Sequence, residues 1–212
     1  MNVRSLFVSL IVGTIVLAGC ATSTSNYSPP VASSIANTKQ VASPFDSTWD
    51  KLVRQLSSDF FVINNIDKNS RLINISFSSQ KPSDFVDCGR SMRTFKNARG
   101  EQTYNYNSAD STQFTMANDA GHVFHLQRTT RLEGRTNIYV APEANGTLVI
   151  VNTKYVVNLT VNSTNVEGHP AGTQNLTWDF STKQGYVDQG SNGVSCHATG
   201  AIERRILSLV GD

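Results

Sequence analysis

From residue 43 onward the apolar positions change spacing several times, and each change marks an element. Phe45, Trp49, Leu52, Val53, Leu56 and Phe60 recur at helical spacing, the single stripe of an amphipathic helix. Ser43 and Pro44 precede it, and with Asp46 they form a start signal: Ser43 as the cap, Pro44 at the first helical position, Asp46 as the acid of a capping box. The spacing then shortens to that of strands. Residues 60–66 and 71–78 predict a hairpin turned by Asp67-Lys68-Asn69-Ser70, with Ile73, Ile75 and Phe77 on one face. A third strand carrying Cys88 is expected over 85–95. Residues 97–110 hold Gly100, Tyr104 and Tyr106 but no clean period, and are expected to form a loop.

Strand character resumes over 122–130, breaks at a turn expected at Glu133-Gly134, and returns over 136–140. After another turn at 142–146 comes a long alternation: Val149, Val151, Thr153, Tyr155, Val157, Leu159 and Val161 share one face, and the intervening positions make a wetter one. A turn over 168–172 leads to 174–182, where Leu176, Trp178 and Phe180 share a face. Short connections make sequential strands antiparallel neighbours, so 121–182 predicts a four-stranded meander. A glycine-rich loop over 188–193 and Cys196 then precede a closing helix with Ile202, Ile206, Leu209 and Val210 on its buried stripe. The expected class is α+β: an N-terminal helix plus hairpin, an antiparallel meander sheet, and a C-terminal helix packed on the sheet.

The first twenty residues are patterned differently. Arg4 precedes an uncharged apolar run over 6–17, too short to span a bilayer comfortably, that closes on Leu17-Ala18-Gly19-Cys20. Those four residues resemble the lipobox of bacterial lipoproteins. The resemblance implies a signal peptide over 1–19, with Cys20 lipidated on sulfur, freed from Gly19 and acylated on its new amino group. Each buried methylene is worth about 0.8 kcal/mol, so several acyl chains make a membrane anchor that does not let go. Ala21 stands where aspartate would argue for retention, and this resembles the pattern exported to the outer membrane, with the body expected to face the periplasm. Residues 20–42 are Ser, Thr, Ala, Asn and Pro without a sustained period. They are expected to form the lipidated cysteine and a flexible tether of about 25 Å reach. Residues 43–212 are then expected to be a single α+β periplasmic domain.

A second resemblance lies in the body. Phe45-Asp46 and Trp49, then Phe60-Phe61-Val62-Ile63, then Leu72-Ile73-Asn74-Ile75-Ser76-Phe77, resemble the small repeated domains of BamC-type envelope lipoproteins over residues 44–78. That family implies a scaffold or assembly accessory without an active site.

Composition changes the picture in two places. The formal net charge of +2, which falls to +1 once Arg4 leaves with the signal, gives no electrostatic case for nucleic acid. Cysteine usage is more specific. With Cys20 set aside, Cys88 and Cys196 remain, neither has a CxxC neighbour, and an exported chain meets an oxidising compartment, so a disulfide between them is expected.

Little chemistry converges. The histidines are His122, His125, His169 and His197, and strand alternation sends the side chains of His122 and His125 to opposite faces, so no metal site is expected. Cys196 and His197 are neighbours whose side chains point apart on an extended chain, which argues against a thiol nucleophile with its base. Gly185, Gly190 and Gly193 lack the spacing of a phosphate loop and read as turn glycines. Arg128, Arg131 and Arg135 cluster around one expected hairpin and Arg204 and Arg205 lie on the last helix; both groups read as solvated faces, with binding of an acidic partner or lipid headgroup as the minority reading. The sequence therefore predicts a non-enzymatic outer-membrane lipoprotein without a cofactor. Its partners are the membrane, through Cys20, and an envelope protein, within an assembly or secretion complex. The alternative is a carrier or sensor holding a small apolar or glycan ligand. A pocket lined by Tyr155, Trp178 and Phe180 would favour the carrier, and an exposed apolar patch or sheet edge the binding module.

Overall fold

The structure is a computed structural model that describes residues 21–31, 34–187 and 193–211. The lipobox with Cys20, and most of the glycine-rich loop over 188–193, lie outside the described residues. Along the chain come β1 (Thr22–Ser28), β2 (Thr38–Val41), α1 (Phe45–Ser57), β3 (Val62–Asp67), β4 (Leu72–Ser79), a short 3-10 turn (Pro82–Asp84), β5 (Val86–Asp87) and β6 (Arg90–Asn97). They are followed by β7 (Gly100–Asn107), β8 (Thr112–Ala117), β9 (Val123–Glu143), β10 (Gly146–Asn165), β11 (Pro170–Ser181), β12 (Tyr186–Val187), β13 (Ser195–Ala198) and α2 (Ala201–Leu209). The protein is mostly antiparallel sheet with two helices among the described residues, and so α+β.

The spine is the hairpin of β9 and β10, paired without a register shift from Gly146 opposite Glu143 to Asn165 opposite Phe124. Paired strands of that length run about 65 Å. Each strand of the spine is long enough to take two neighbours end to end. Along β9 lie β8, opposite residues 123–128, and β4, opposite residues 132–139. Along β10 lie β2, opposite residues 147–150, and β11, opposite residues 154–164. With β3 beyond β4 this makes one seven-stranded sheet. A second sheet, in the order β1-β6-β7, and a third small one, in the order β12-β13-β5, complete the fold.

The turn expected at Glu133-Gly134 does not exist. β9 runs straight through it, and Gly134 serves another purpose: a Cβ there would lie 2.1 Å from Cε1 of Phe77. Glycine lets the Phe77 ring lie against the neighbouring strand, so the expected four-stranded meander is three longer strands. The tether is also corrected. β1 pairs with β6 over all seven of its residues, and the Tyr27 hydroxyl lies 3.0 Å from the Cys88 carbonyl and accepts the Ser195 N–H at 2.9 Å. β2 extends its pairing through Asn37, whose side chain donates to the Val151 carbonyl at 3.0 Å. Most side chains of β1 and β2 are exposed or half-exposed, so backbone pairing holds these strands and no apolar period marks them.

The same reason explains β7, where a loop was expected: it pairs with β6 in full register while most of its side chains stay wet. The single strand expected over 85–95 divides at Gly89, which has φ +72° and packs so closely on β1 that a Cβ would fall 2.2 Å from the Ser28 carbonyl oxygen. Helix α1 has Pro44 at its N-cap and no side-chain cap, so the expected capping box does not form. The Ser43 carbonyl instead accepts the Thr147 hydroxyl at 2.8 Å, tying the helix start to β10. Phe60 lies past the helix end and is 45% exposed.

The core gathers where the helices cover the sheet. Trp49, Leu52 and Leu56 of α1 and Ile202 and Ile206 of α2 share one apolar cluster with Ile73, Ile138, Val140, Val149 and Val151. Each fully buried aliphatic side chain of this kind contributes about 1.5–3 kcal/mol. Cys88 and Cys196 stand at disulfide distance, S–S 2.05 Å, linking the junction of β5 and β6 to β13, just ahead of α2.

Candidate functional site

The helices cover only the half of the spine nearest its turn. Over the distal half the inward face of the large sheet is roofed by β6 and β7 of the second sheet, and a groove of about 280 Å³ remains between them. Its floor is Leu126 and Arg128 of β9, Leu159 and Val161 of β10, and Leu176 and Trp178 of β11, with Phe114 and Met116 of β8 beside them. Its roof includes Ser91 and Arg93 of β6 and Tyr106 of β7. Among the described residues the lining contains no carboxylate.

Arg128 is the unusual member. It is only 7% exposed, its Nη2 donates to the Ser108 carbonyl, and its Nε has no hydrogen-bond acceptor among the described residues. Its guanidinium carbon lies 5.7 Å from the Tyr106 ring centre and 5.6 Å from that of Trp178. Burial pulls its pKa down, the nearby Arg93 adds to that, and Tyr106 and Asp110 oppose it. An arginine nevertheless stays charged in a protein. Asp110 offers limited compensation, the smallest of these contributions. Contact with desolvated aromatic faces returns about 2 kcal/mol, less than the several kcal/mol that burying an ion costs.

Arg93 is a second cation at the roof. Its Nε donates to the Tyr106 hydroxyl at 2.9 Å, and its guanidinium carbon lies 4.8 Å from the Phe114 ring centre. Tyr106 in turn stacks on Phe114, with centroids 5.8 Å apart. Two guanidinium groups are thus interleaved with aromatic rings in a groove whose remaining floor is aliphatic apart from Gln174.

Tyr155, Trp178 and Phe180, whose shared pocket would favour a carrier, do not line one cavity: only Trp178 reaches the groove. Tyr155 and Phe180 stack 5.7 Å apart inside the core. There the Tyr155 hydroxyl donates to the fully buried Glu203 at 3.0 Å, and the Thr182 hydroxyl donates to the same carboxylate at 2.7 Å. Burial first, and the Glu203 carboxylate second, push the Tyr155 pKa far upward. This polar cluster is satisfied within itself.

The arginines expected on one solvated hairpin are divided by the strand. Arg131 and Arg135 point outward, Arg131 3.8 Å from Glu133, whereas Arg128 points inward, so its solvated-face expectation is corrected. The signal was present in the sequence: Arg128 is in phase with Leu126, Thr130 and Leu132 on one face of an alternating strand. A turn at Glu133-Gly134 would have ended that phase, which hid it. Arg205, on the last helix, makes two bonds to Asp59, at 2.8 and 2.6 Å, and holds that carboxyl below its usual range. His125 lies 3.0 Å from the Thr115 hydroxyl, His169 sits beside Glu167, and His197 pairs with Asp87 across strands. Among the described residues no three His, Cys, Asp or Glu side chains gather as metal ligands.

Compared with known proteins, the chain matches no family model, no curated protein and no solved structure. Among the described residues no helix is long and apolar enough to cross a membrane.

Proposed function

We propose that this is a non-enzymatic outer-membrane lipoprotein, anchored through Cys20, whose groove between the two sheets receives a ligand. The observation that carries the groove is Arg128: a buried charge with an unused donor, in a cleft lined by apolar and aromatic side chains, is what an anchoring group in a binding site looks like. The lipobox resemblance supports the anchor, and Ala21 after it supports the outer membrane and a body facing the periplasm. Native mass spectrometry of the full-length protein extracted from membranes tests the groove. A bound small molecule is expected on the natural protein and absent from Leu159→Trp, which fills the floor; equal spectra would overturn the groove. For the anchor, Cys20→Ser is expected to abolish lipid labelling and leave an uncleaved precursor, and normal maturation of that variant would remove it.

A second reading is favoured by the far edge of the large sheet. β3 ends that sheet, and around it Phe60, Val62, Ile66 and Leu72 are 37–61% exposed. An edge strand with exposed apolar side chains invites a partner chain. The helix and hairpin there are also where the BamC-type resemblance lies, which supports an assembly accessory contacting an envelope protein. Val62→Lys is expected to abolish crosslinking to such a partner while leaving groove binding unchanged.

A further inference from the structure

The groove is lined by two arginines, and its chemistry narrows the class of ligand it can take. Arg128, itself only 7% exposed, brings a full positive charge to the groove wall, and among the described residues its Nε lacks an acceptor and no acidic side chain lines the cavity. Arg93 adds a second positive charge at the roof. A neutral apolar ligand would cover Leu159, Val161 and Leu176 but would leave the buried guanidinium as it is. A glycan would offer oxygens to Arg128 and Gln174 but would set its other hydroxyl groups against Leu126, Leu159, Val161 and Leu176. An anion with an apolar tail satisfies both. A guanidinium fork suits a planar carboxylate, forming short, charge-assisted hydrogen bonds that strengthen where water is excluded. The cavity, about 280 Å³, suits one small head group and a short chain rather than a whole phospholipid.

We propose that the groove binds a medium-chain carboxylic acid, carboxylate against Arg128 and alkyl chain along Leu159, Val161 and Leu176. The proposal rests on the groove being a binding site and adds the ligand class. Arg128 already lines the groove, so the carboxylate meets its side chain there. The acid is bound ionised, so the complex forms above the ligand's own pKa.

The test uses the lipidated full-length protein in phospholipid nanodiscs, with empty nanodiscs as the control for partitioning. Octanoate, 1-octanol and octyl phosphate are titrated, and binding is read by calorimetry and by the fluorescence of Trp178 in a Trp49→Phe background. Saturable binding of octanoate is expected, with octanol about ten-fold weaker or more, because it cannot supply a charged acceptor. Arg128→Met should abolish that preference without lowering Tm. If Arg128→Met does not fold, Leu176→Trp provides the second arm: it blocks the chain path and should abolish octanoate binding while both arginines remain. Octanol binding as tightly as octanoate, or octyl phosphate binding more tightly, would overturn the carboxylate assignment and leave the groove standing. A native adduct on the extracted protein with no binding of any octyl probe would do the same. No adduct and no probe binding would overturn the groove itself.

Discussion

Among the described residues two charged side chains are buried along the same long hairpin, one under the helices and one under the smaller sheet, and the fold treats them differently. Glu203 sits under the helices, against Tyr155 midway along β10. It lies in the first turn of α2, where the helix dipole favours an anion, and it accepts hydroxyl protons from Tyr155 and Thr182. Arg128 sits at the end covered only by the smaller sheet, with one bond to a carbonyl, two aromatic faces and an orphaned Nε. A buried charge whose hydrogen bonds are all answered from within belongs to the structure. One left partly unanswered beside a cavity is available for something else, and this difference is the ground on which the distal groove is proposed as a binding site.

The Cys88–Cys196 link joins the two regions, since Cys88 immediately precedes the roof strand β6 and Cys196 immediately precedes the approach to α2. Breaking it should therefore be the largest perturbation. Cys88→Ser is expected to lower unfolding free energy by about 2–5 kcal/mol, through the larger unfolded ensemble, as read by urea denaturation. The groove roof should loosen with it, so probe binding should weaken in parallel.

Glu203→Ala attacks the satisfied charge. It strips two buried hydroxyls of their acceptor and opens space under α2, at an expected cost of about 3 kcal/mol in the same denaturation assay. The Tyr155 pKa should fall once the carboxylate is gone but stay raised by burial, as read by ultraviolet titration. Gly134→Ala tests the closed half differently: its Cβ meets the Phe77 ring, and a loss of about 1–3 kcal/mol is expected even though the backbone conformation suits alanine.

Arg128→Met is the counterpart at the open end and should differ in sign. Removing an incompletely compensated buried ion in favour of an apolar chain of similar length is expected to leave stability unchanged or raise it by about 1 kcal/mol. A loss comparable with that of Glu203→Ala would erase the contrast. The smallest effect is expected at the surface pair of Asp59 and Arg205. Its carboxyl pKa is lowered in the folded state, chiefly by the hydrogen bond from Arg205, so its contribution is present above the unfolded carboxylate pKa and is lost as pH falls through the folded value. Asp59→Asn should remove less than about 1 kcal/mol at neutral pH and nothing at low pH, in thermal melts across that range.

Residue order alone determined the elements whose side chains sort between water and core. The alternation from Val149 to Leu159 is buried at every odd position, Ile73, Ile75 and Phe77 share a buried face, and Trp49, Leu52 and Leu56 form the buried stripe of α1. In each case one face meets an apolar layer, and burial imposes a period that can be counted in the sequence. Tertiary structure decided the rest. β1, β2 and β7 are held by backbone hydrogen bonds that any residue but proline can make, so Thr, Ser and Asn at their exposed positions carry no trace of the pairing. Gly134 was a turn signal by composition and became mid-strand only because Phe77 arrives from a neighbouring strand. Arg128 had the phase of a core residue, but its burial depended on β9 continuing unbroken through Gly134 and on β6 and β7 closing over it. Periodicity records whether a face is covered; which strand covers it, and what charge it traps there, follows from contacts between residues far apart in the chain.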